Sequence, residues 1–327
     1  MGQSKPITSL SVDLDNKWSY MKTHGDPDWE SFPSYLDVVV PRILDCLQEQ
    51  HLTVTFFIVG QDAALESNHA ALRAIAAAGH EIGNHSFHHE PWLHLYSDEQ
   101  IANDLAQAEH HIQQATGQKP VGFRAPGFSF SPACLRILVQ RGYLYDATTF
   151  ATFLGPAARL YYFLSGGKGL DPEQKRQRQK LFGTFRDGLR PNRPYRWHTP
   201  DGDLVEIPVT TMPVFRIPIH VSYILYISSF SPALALGYFR LALWLCRMTG
   251  TPPSLLLHPL DFLDAQDAPE LAFFPAMRLS AARKRKIVSN VLRLMKANFT
   301  VGPVKQHAYD VVGSAQLPLT ELSSWPG

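Results

Sequence analysis

Between positions 83 and 89 the chain reads Gly-Asn-His-Ser-Phe-His-His, with imidazoles at His85 and His89. Side chains four apart on a helix or tight turn share one face, so these two rings can grip one metal ion. Near the start, Ser11-Val12-Asp13-Leu14-Asp15-Asn16 closes a run with strand character. Residues two apart on a strand point the same way, which lets Asp13 and Asp15 converge at its C-terminal edge. Each feature alone has an ordinary explanation, a solvated histidine cluster or a pair of capping carboxylates. Together they describe a hydrolytic site. Two imidazoles and one carboxylate leave open positions on a small divalent ion, which structural sites do not. A second carboxylate nearby can take a proton from the attacking water.

Such residues need a scaffold that delivers them to one edge. The first 150 residues alternate β-branched or aromatic runs (7–14, 53–59, 80–83, 121–123) with helical stretches (35–50, 69–78, 98–116, 132–140). Strand and helix alternating at this spacing predict βαβ units and a parallel sheet. Gly79 and Gly142 stand where helices end, and Ser97 with Gln100 has the form of a capping box. The rhythm resumes with strands at 203–209, 254–257 and 299–301 and helices at 232–248 and 281–297. The expected fold is α/β, a distorted (β/α) barrel of about seven strands, in which active sites sit at the C-terminal strand ends. Residues 150–200, with a basic run at 175–180 and no apolar period, read as an insertion after the fifth unit of one domain spanning 1–327.

Composition narrows the function classes. The 327 residues are 45% apolar, enough for a large core, and carry a net charge of +1. No global field exists for nucleic acid or strongly acidic partners. Three scattered cysteines, Cys46, Cys134 and Cys246, lie in apolar stretches and read as buried thiols rather than a disulfide framework. The first residues, MGQSKPITSL, lack the charged and apolar regions of a signal peptide, and no apolar run is long enough to span a membrane. The expectation is a cytoplasmic protein.

Four short patterns, in order along the chain, give a more specific reading. Val12-Asp13-Leu14-Asp15, His85-Ser86-Phe87-His88-His89, Arg124-Ala125-Pro126 and Leu257-His258 resemble the motifs of the polysaccharide deacetylase family, also called the NodB-homology family or carbohydrate esterase family four. The single residue between the aspartates departs from the commoner adjacent pair and resembles a divergent V-D-x-D branch. The resemblance implies that Asp13 is the base and that Asp15, His85 and His89 hold a divalent metal ion, zinc first, with cobalt, nickel or manganese as alternatives. It implies that Arg124 orients the base, that the Gly127 N–H helps hold the oxyanion, and that His258 is the general acid. For the fourth family motif, an Asp near a Trp, Asp146 is the candidate, without a neighbouring Trp. Asp261 is placed to orient His258 or to cap the next helix, and Lys17, Trp18, Tyr20 and His24 to line the cleft.

The implied reaction is hydrolysis of the N-acyl group of an amino sugar, free, polymeric or lipid-linked. Two alternatives stay open: amide hydrolysis of a small non-sugar molecule on the same fold, and a non-catalytic carbohydrate-binding barrel. The apolar stretch 214–245 reads first as core and second as a surface that meets a membrane, where the basic residues between 168 and 196 would face phosphates or anionic headgroups.

Overall fold

The computed structural model describes residues 5–165, 172–181, 183–314 and 317–324. In chain order its main elements are β1 (Ile7–Leu14), α1 (Lys17–His24), α2 (Leu36–Glu49), β2 (Thr55–Ile58), α3 (Gly60–Ala63), α4 (His69–Ala77), β3 (Glu81–Asn84), α5 (Asp98–Thr116), β4 (Gly122–Phe123), α6 (Pro132–Gln140), β5 (Tyr145–Asp146), α7 (Gly155–Ser165), α8 (Pro172–Gln177), β6 (Tyr195–Thr199), β7 (Gly202–Glu206), α9 (Val221–Phe230), α10 (Pro232–Met248), β8 (Ser254–Leu257), α11 (Ala281–Asn298), β9 (Thr300–Gly302), α12 (Val304–Ser314) and β10 (Leu319–Glu321).

The strands form one sheet in the order β10-β6-β7-β5-β4-β3-β2-β1-β8, with β9 beside the first half of β1. Every pair is parallel except the β6–β7 hairpin. The path from β7 to β8 holds seven strands, the number expected. No ladder among the described residues joins β8 to β7. The segment after β7 nonetheless meets β8: the Thr210 N–H donates to the Ser254 carbonyl (3.0 Å), and the Ser254 N–H donates to Thr210 Oγ1 (2.8 Å).

Strand β1 shows how the scaffold delivers the site. From Thr8 to Leu14 it is buried throughout, as a strand covered on both faces must be. Its alternation is chemical. Leu10, Val12 and Leu14 join the main apolar cluster with Phe56, Ile58 and Ile43. Ser9, Ser11 and Asp13 form the other row, where Ser9 meets His307 and both Ser11 and Asp13 meet Arg124. The period of two therefore places the carboxylate of Asp13 on the polar row, and the strand end releases Asp15 beside it.

Two expectations need adjustment. The segment 150–200 does carry irregular chain after β5, but its last residues form β6, which pairs with β7 in register Tyr195↔Glu206 to Thr199↔Gly202. Its arginines are not all solvated: Arg178 and Arg190 are buried, and Arg190 pairs with Asp187 at 2.7 Å over the ring of Phe130. Lys168 lies outside the described residues. The stretch 214–245 divides between both readings. Val221, Ile224, Leu225, Ala235, Phe239 and Ala242 are core, while other apolar residues of α9 and α10 face outward. The three cysteines are free and buried.

Candidate active site

Asp15, His85 and His89 come together as the two local patterns require. One ligand atom from each lies within 4.8 Å of the others, and all three residues are buried. Asp15 Oδ1 is 3.3 Å from His85 Nε2 and 3.1 Å from His89 Nε2. The His85 Nδ1–H donates to the Arg124 carbonyl at 2.6 Å, which fixes the tautomer and leaves Nε2 as the ligating atom. Burial pushes the Asp15 carboxyl up, but His89 and His85 beside it hold it well below the usual carboxylate range. For His85, burial acts downward and the Asp13 and Asp15 charges outweigh it, raising its pKa. This donor set, two imidazoles and one carboxylate aimed at one point, fits a small divalent cation.

The motif holding the rings is a turn, not a helix. Ser86 and His89 both adopt left-handed backbone, at φ +64° and +51°. Asn84 Oδ1 accepts from the Ser86 N–H, and Ser86 Oγ accepts from the His89 N–H. The buried Asp104 of α5 accepts the N–H groups of Phe87 and His88. Side chains of Asn84, Ser86 and Asp104 thus take the orphan amides, which offsets part of the cost of the unusual backbone.

Asp13 stands apart from the ligand set. Its Oδ2 is 4.0 Å from His85 Nε2, while its Oδ1 accepts from Arg124 Nη1 at 2.6 Å. Arg124 is fully buried. Nη1 also donates to Ser11 Oγ (2.8 Å), Nε donates to the Ala147 carbonyl (2.9 Å), and the guanidinium lies over Phe57. Gly127 sits in the turn Pro126–Phe128 that follows, at φ +57°, where a Cβ would come within 2.8 Å of Pro91. Only glycine suits that backbone at that approach.

His258 closes β8 and caps the next turn. Its backbone N–H donates to Asp261 Oδ2 (2.9 Å), and its Nδ1 lies 3.1 Å from Ser222 Oγ. Ser222 Oγ donates to Asp261 Oδ1 at 2.8 Å. Asp261 therefore meets the His258 ring through a serine. Asp146 is turned elsewhere: its Oδ1 accepts from the Ala147 N–H and Thr148 Oγ1, and Thr148 Oγ1 accepts from the Ala125 N–H. It braces the loop that supports Arg124. Burial and the neighbouring Glu206 push its pKa well up. A tryptophan does stand near this pair: Trp197 Nε1 donates to Glu206 Oε2 at 2.9 Å, across the β6–β7 hairpin.

Several residues around the centre were not singled out by sequence. Tyr35 donates its hydroxyl to the Asp15 carbonyl at 2.6 Å. Asp62, on α3, accepts from Asn16 Nδ2 (2.7 Å) and Trp18 Nε1 (3.0 Å), tethering the chain just after Asp15. Burial raises the Asp62 pKa to about 7. Of the residues expected to line a cleft, Trp18 is buried with its ring perpendicular to that of His89, and Tyr20 is packed against Phe274. Lys17 pairs with Glu270, and His24 stacks on Phe273. Ser222 and His220, whose ring is 5.7 Å from that of His258, come from the apolar stretch. None of these contacts has a local sequence signal, because each joins residues from separate elements.

Comparison with known proteins gives a consistent result. A family model described as polysaccharide deacetylase matches residues 29–145, which include His85, His89, Arg124 and Gly127 but not Asp13, Asp15 or His258. The chain is 28% identical over 144 residues to a peptidoglycan deacetylase of Helicobacter pylori, covering 43% of this chain and 48% of that one. It is 32% identical over 110 residues to the peptidoglycan-N-acetylmuramic acid deacetylase of Bacillus subtilis, covering 33% of this chain and 41% of that one. The chain spans about half the length, or less, of these relatives. Among solved structures, one from Mycobacterium smegmatis, assigned to the polysaccharide deacetylases, superposes with a TM-score of 0.60 at 22% identity, covering 96% of this chain and 93% of that one. That likeness supports the fold.

Proposed function

We propose that this chain, which resembles the polysaccharide deacetylases over residues 29–145, is a metal-dependent hydrolase that removes an N-acyl group, acetyl or formyl, from an amino sugar. The observation that carries this reading is the division of labour between the two aspartates. Asp15 shares its oxygen with two imidazoles, while Asp13, one strand repeat away, is held off by a buried arginine. A site with a ligand set and a separate, oriented base is built for hydrolysis.

In this reading Asp15, His85 and His89 hold the ion, zinc by preference, with cobalt, nickel or manganese as alternatives. When bound, such an ion acts as a Lewis acid and brings the pKa of water toward about 7. Asp13, fixed by Arg124, takes the proton of the attacking water. The Gly127 N–H donates to the developing oxyanion, a role whose loss typically costs on the order of a hundred- to a thousandfold in rate. The amine is a poor leaving group, and His258 protonates it, as an imidazole near neutral pH can. The substrate in this reading is an N-acylated glycan. The named activities of the two bacterial relatives, on peptidoglycan and its N-acetylmuramic acid, favour a polymer over a small non-sugar amide. We read residues 1–327 as one barrel domain with an insertion at about 150–200, working in a reducing compartment that suits its free thiols.

The test is direct. Elemental analysis of the purified protein should find one divalent ion per chain, and acetate should be released from N-acetylglucosamine oligomers. A strong chelator should remove at least about 99% of the activity, and added zinc should restore it. Stoichiometric metal with no hydrolysis across a broad acyl panel would replace the deacylase by the carbohydrate-binding reading.

A second reading concerns location, and one observation favours it. Helices α9 and α10 contain no acidic residue, and Tyr226, Phe230, Leu234, Leu241, Trp244 and Met248 are exposed beside Arg240 and Arg247. No helix among the described residues is long and apolar enough to cross a membrane. An apolar stripe on helices whose charged residues are all cations suits peripheral contact with an anionic bilayer, as a lipid-linked glycan would require. Cosedimentation with phosphatidylglycerol vesicles at low salt is the expected result, weakened severalfold by Trp244→Ala with Phe230→Ala. Absence of cosedimentation removes this reading and leaves the deacylase untouched.

A further inference from the structure

The contact between His258 and α9 assigns a role to a residue outside every family motif described above. Ser222 lies in the first turn of α9, thirty-six positions before His258, and α9 is anchored by Val221, Ile224 and Leu225. Its hydroxyl proton is committed to Asp261 Oδ1 at 2.8 Å, and the other Asp261 oxygen is committed to the His258 backbone N–H at 2.9 Å. A serine hydroxyl has one proton and two lone pairs. With the proton spent, Ser222 Oγ faces His258 Nδ1, 3.1 Å away, only as an acceptor. The Asp261 N–H also approaches the His258 side chain but gives its 3.0 Å bond to the His258 carbonyl, so the hydroxyl is the partner that decides the ring. His258 then carries its proton on Nδ1, which leaves Nε2 as the atom that receives and delivers the transferring proton.

We propose that Ser222 is a positioning residue that, backed by Asp261, fixes the tautomer and direction of His258 so that Nε2 serves the leaving amine. The proposal rests on the deacylase reading for its catalytic consequence, but its structural content does not. Asp261 is held in place independently of Ser222 by the His258 N–H. Removing the hydroxyl therefore frees the ring without removing the carboxylate. The loss should fall on steps that need a proton for the leaving group, and spare those that do not.

Two measurements on the full chain test this. The first is long-range ¹H–¹⁵N correlation of the histidine rings with the imidazole neutral, the His258 signals being identified by their loss in His258→Gln. The wild type should show the Nδ1–H tautomer, Ser222→Ala should lose it, and Ser222→Thr, which keeps the hydroxyl, should retain it. The second compares an N-acetyl amino sugar with an activated aryl acetate, whose leaving group needs no acid. Ser222→Ala should lower kcat on the amide roughly ten- to a hundredfold, within the range of general acid catalysis. KM should stay within about threefold and the aryl ester rate within about twofold, and threonine should restore the amide rate. An Nε2–H tautomer in the wild type, an unchanged tautomer in Ser222→Ala, or parallel loss on both substrates overturns the proposal. A metal-loaded wild type that cleaves neither substrate overturns the deacylase reading instead, and the ring spectra then decide the role of Ser222 alone.

Discussion

Replacing Asp13 with asparagine is expected to lower deacylation about a hundred- to ten-thousandfold while the metal site stays filled. The two halves of that result come from the geometry. Asp13 Oδ2 lies 4.0 Å from His85 Nε2, outside the tight contacts of 3.1 and 3.3 Å that bind Asp15 to the imidazoles. The ligand set therefore survives the substitution. The side chain keeps its shape and can still accept from Arg124 Nη1, so the strand end is not expected to move. What disappears is the basic oxygen, and an amide cannot take up a proton in its place. Asp15→Asn should give the opposite split, with metal content and activity falling together. Elemental analysis beside kcat on one N-acetyl substrate separates the two. Equal loss of metal in both variants would mean that the aspartates share the ion, and the assignment of Asp13 as base would fail.

The geometry behind these proposed roles was readable from sequence to the extent that it is local. The alternation of Ser9, Ser11 and Asp13 with Leu10, Val12 and Leu14 announces a strand buried on both faces with one polar row, and that is how β1 packs. The spacing of His85 and His89 announces a shared ligand point on a helix or tight turn, and the structure reaches it through a turn with left-handed backbone. What stayed hidden is what depends on distant pairing. Strand β6 lies among prolines and arginines with only five residues, and its identity comes from the β7 partner. The tryptophan beside Asp146 and Glu206 arrives on that hairpin, from some fifty positions downstream of Asp146. Helix α1 has no apolar period, because the polar Lys17 and Ser19 are buried in it beside Trp18 and Met21. Ser222 sits in an apolar run that reads as core, and only the fold sets it against His258. Chemistry that repeats at short intervals leaves a trace in one sequence. Hydrogen bonds between elements do not.

Replacing Arg124 with methionine is expected to cost about 3–5 kcal/mol of stability, more than any other single change at the site, and to be relieved in part by a second change at Asp13. The guanidinium is fully buried and spends its donors on three groups from two segments: Asp13 and Ser11 of β1 and the Ala147 carbonyl after β5. Methionine fills similar volume over Phe57 but leaves the Asp13 carboxylate buried without its nearest counter-charge. That uncompensated charge is the larger part of the penalty, because desolvation is no longer offset by the ion pair. Asp13→Asn in the same chain removes it, so the double variant should be more stable than Arg124→Met alone. Arg124→Lys should fall between, since lysine keeps the charge but cannot reach Asp13 and Ala147 at once with a planar fork. Urea unfolding of the four chains closes the cycle, and a coupling energy of at least about 2 kcal/mol is expected. Additive effects would show that Arg124 stabilises β1 and the β5 loop through Ser11 and the Ala147 carbonyl, without Asp13. The acid–base geometry around Asp13 would then need another origin, because an arginine uncoupled from the carboxylate cannot be what orients it.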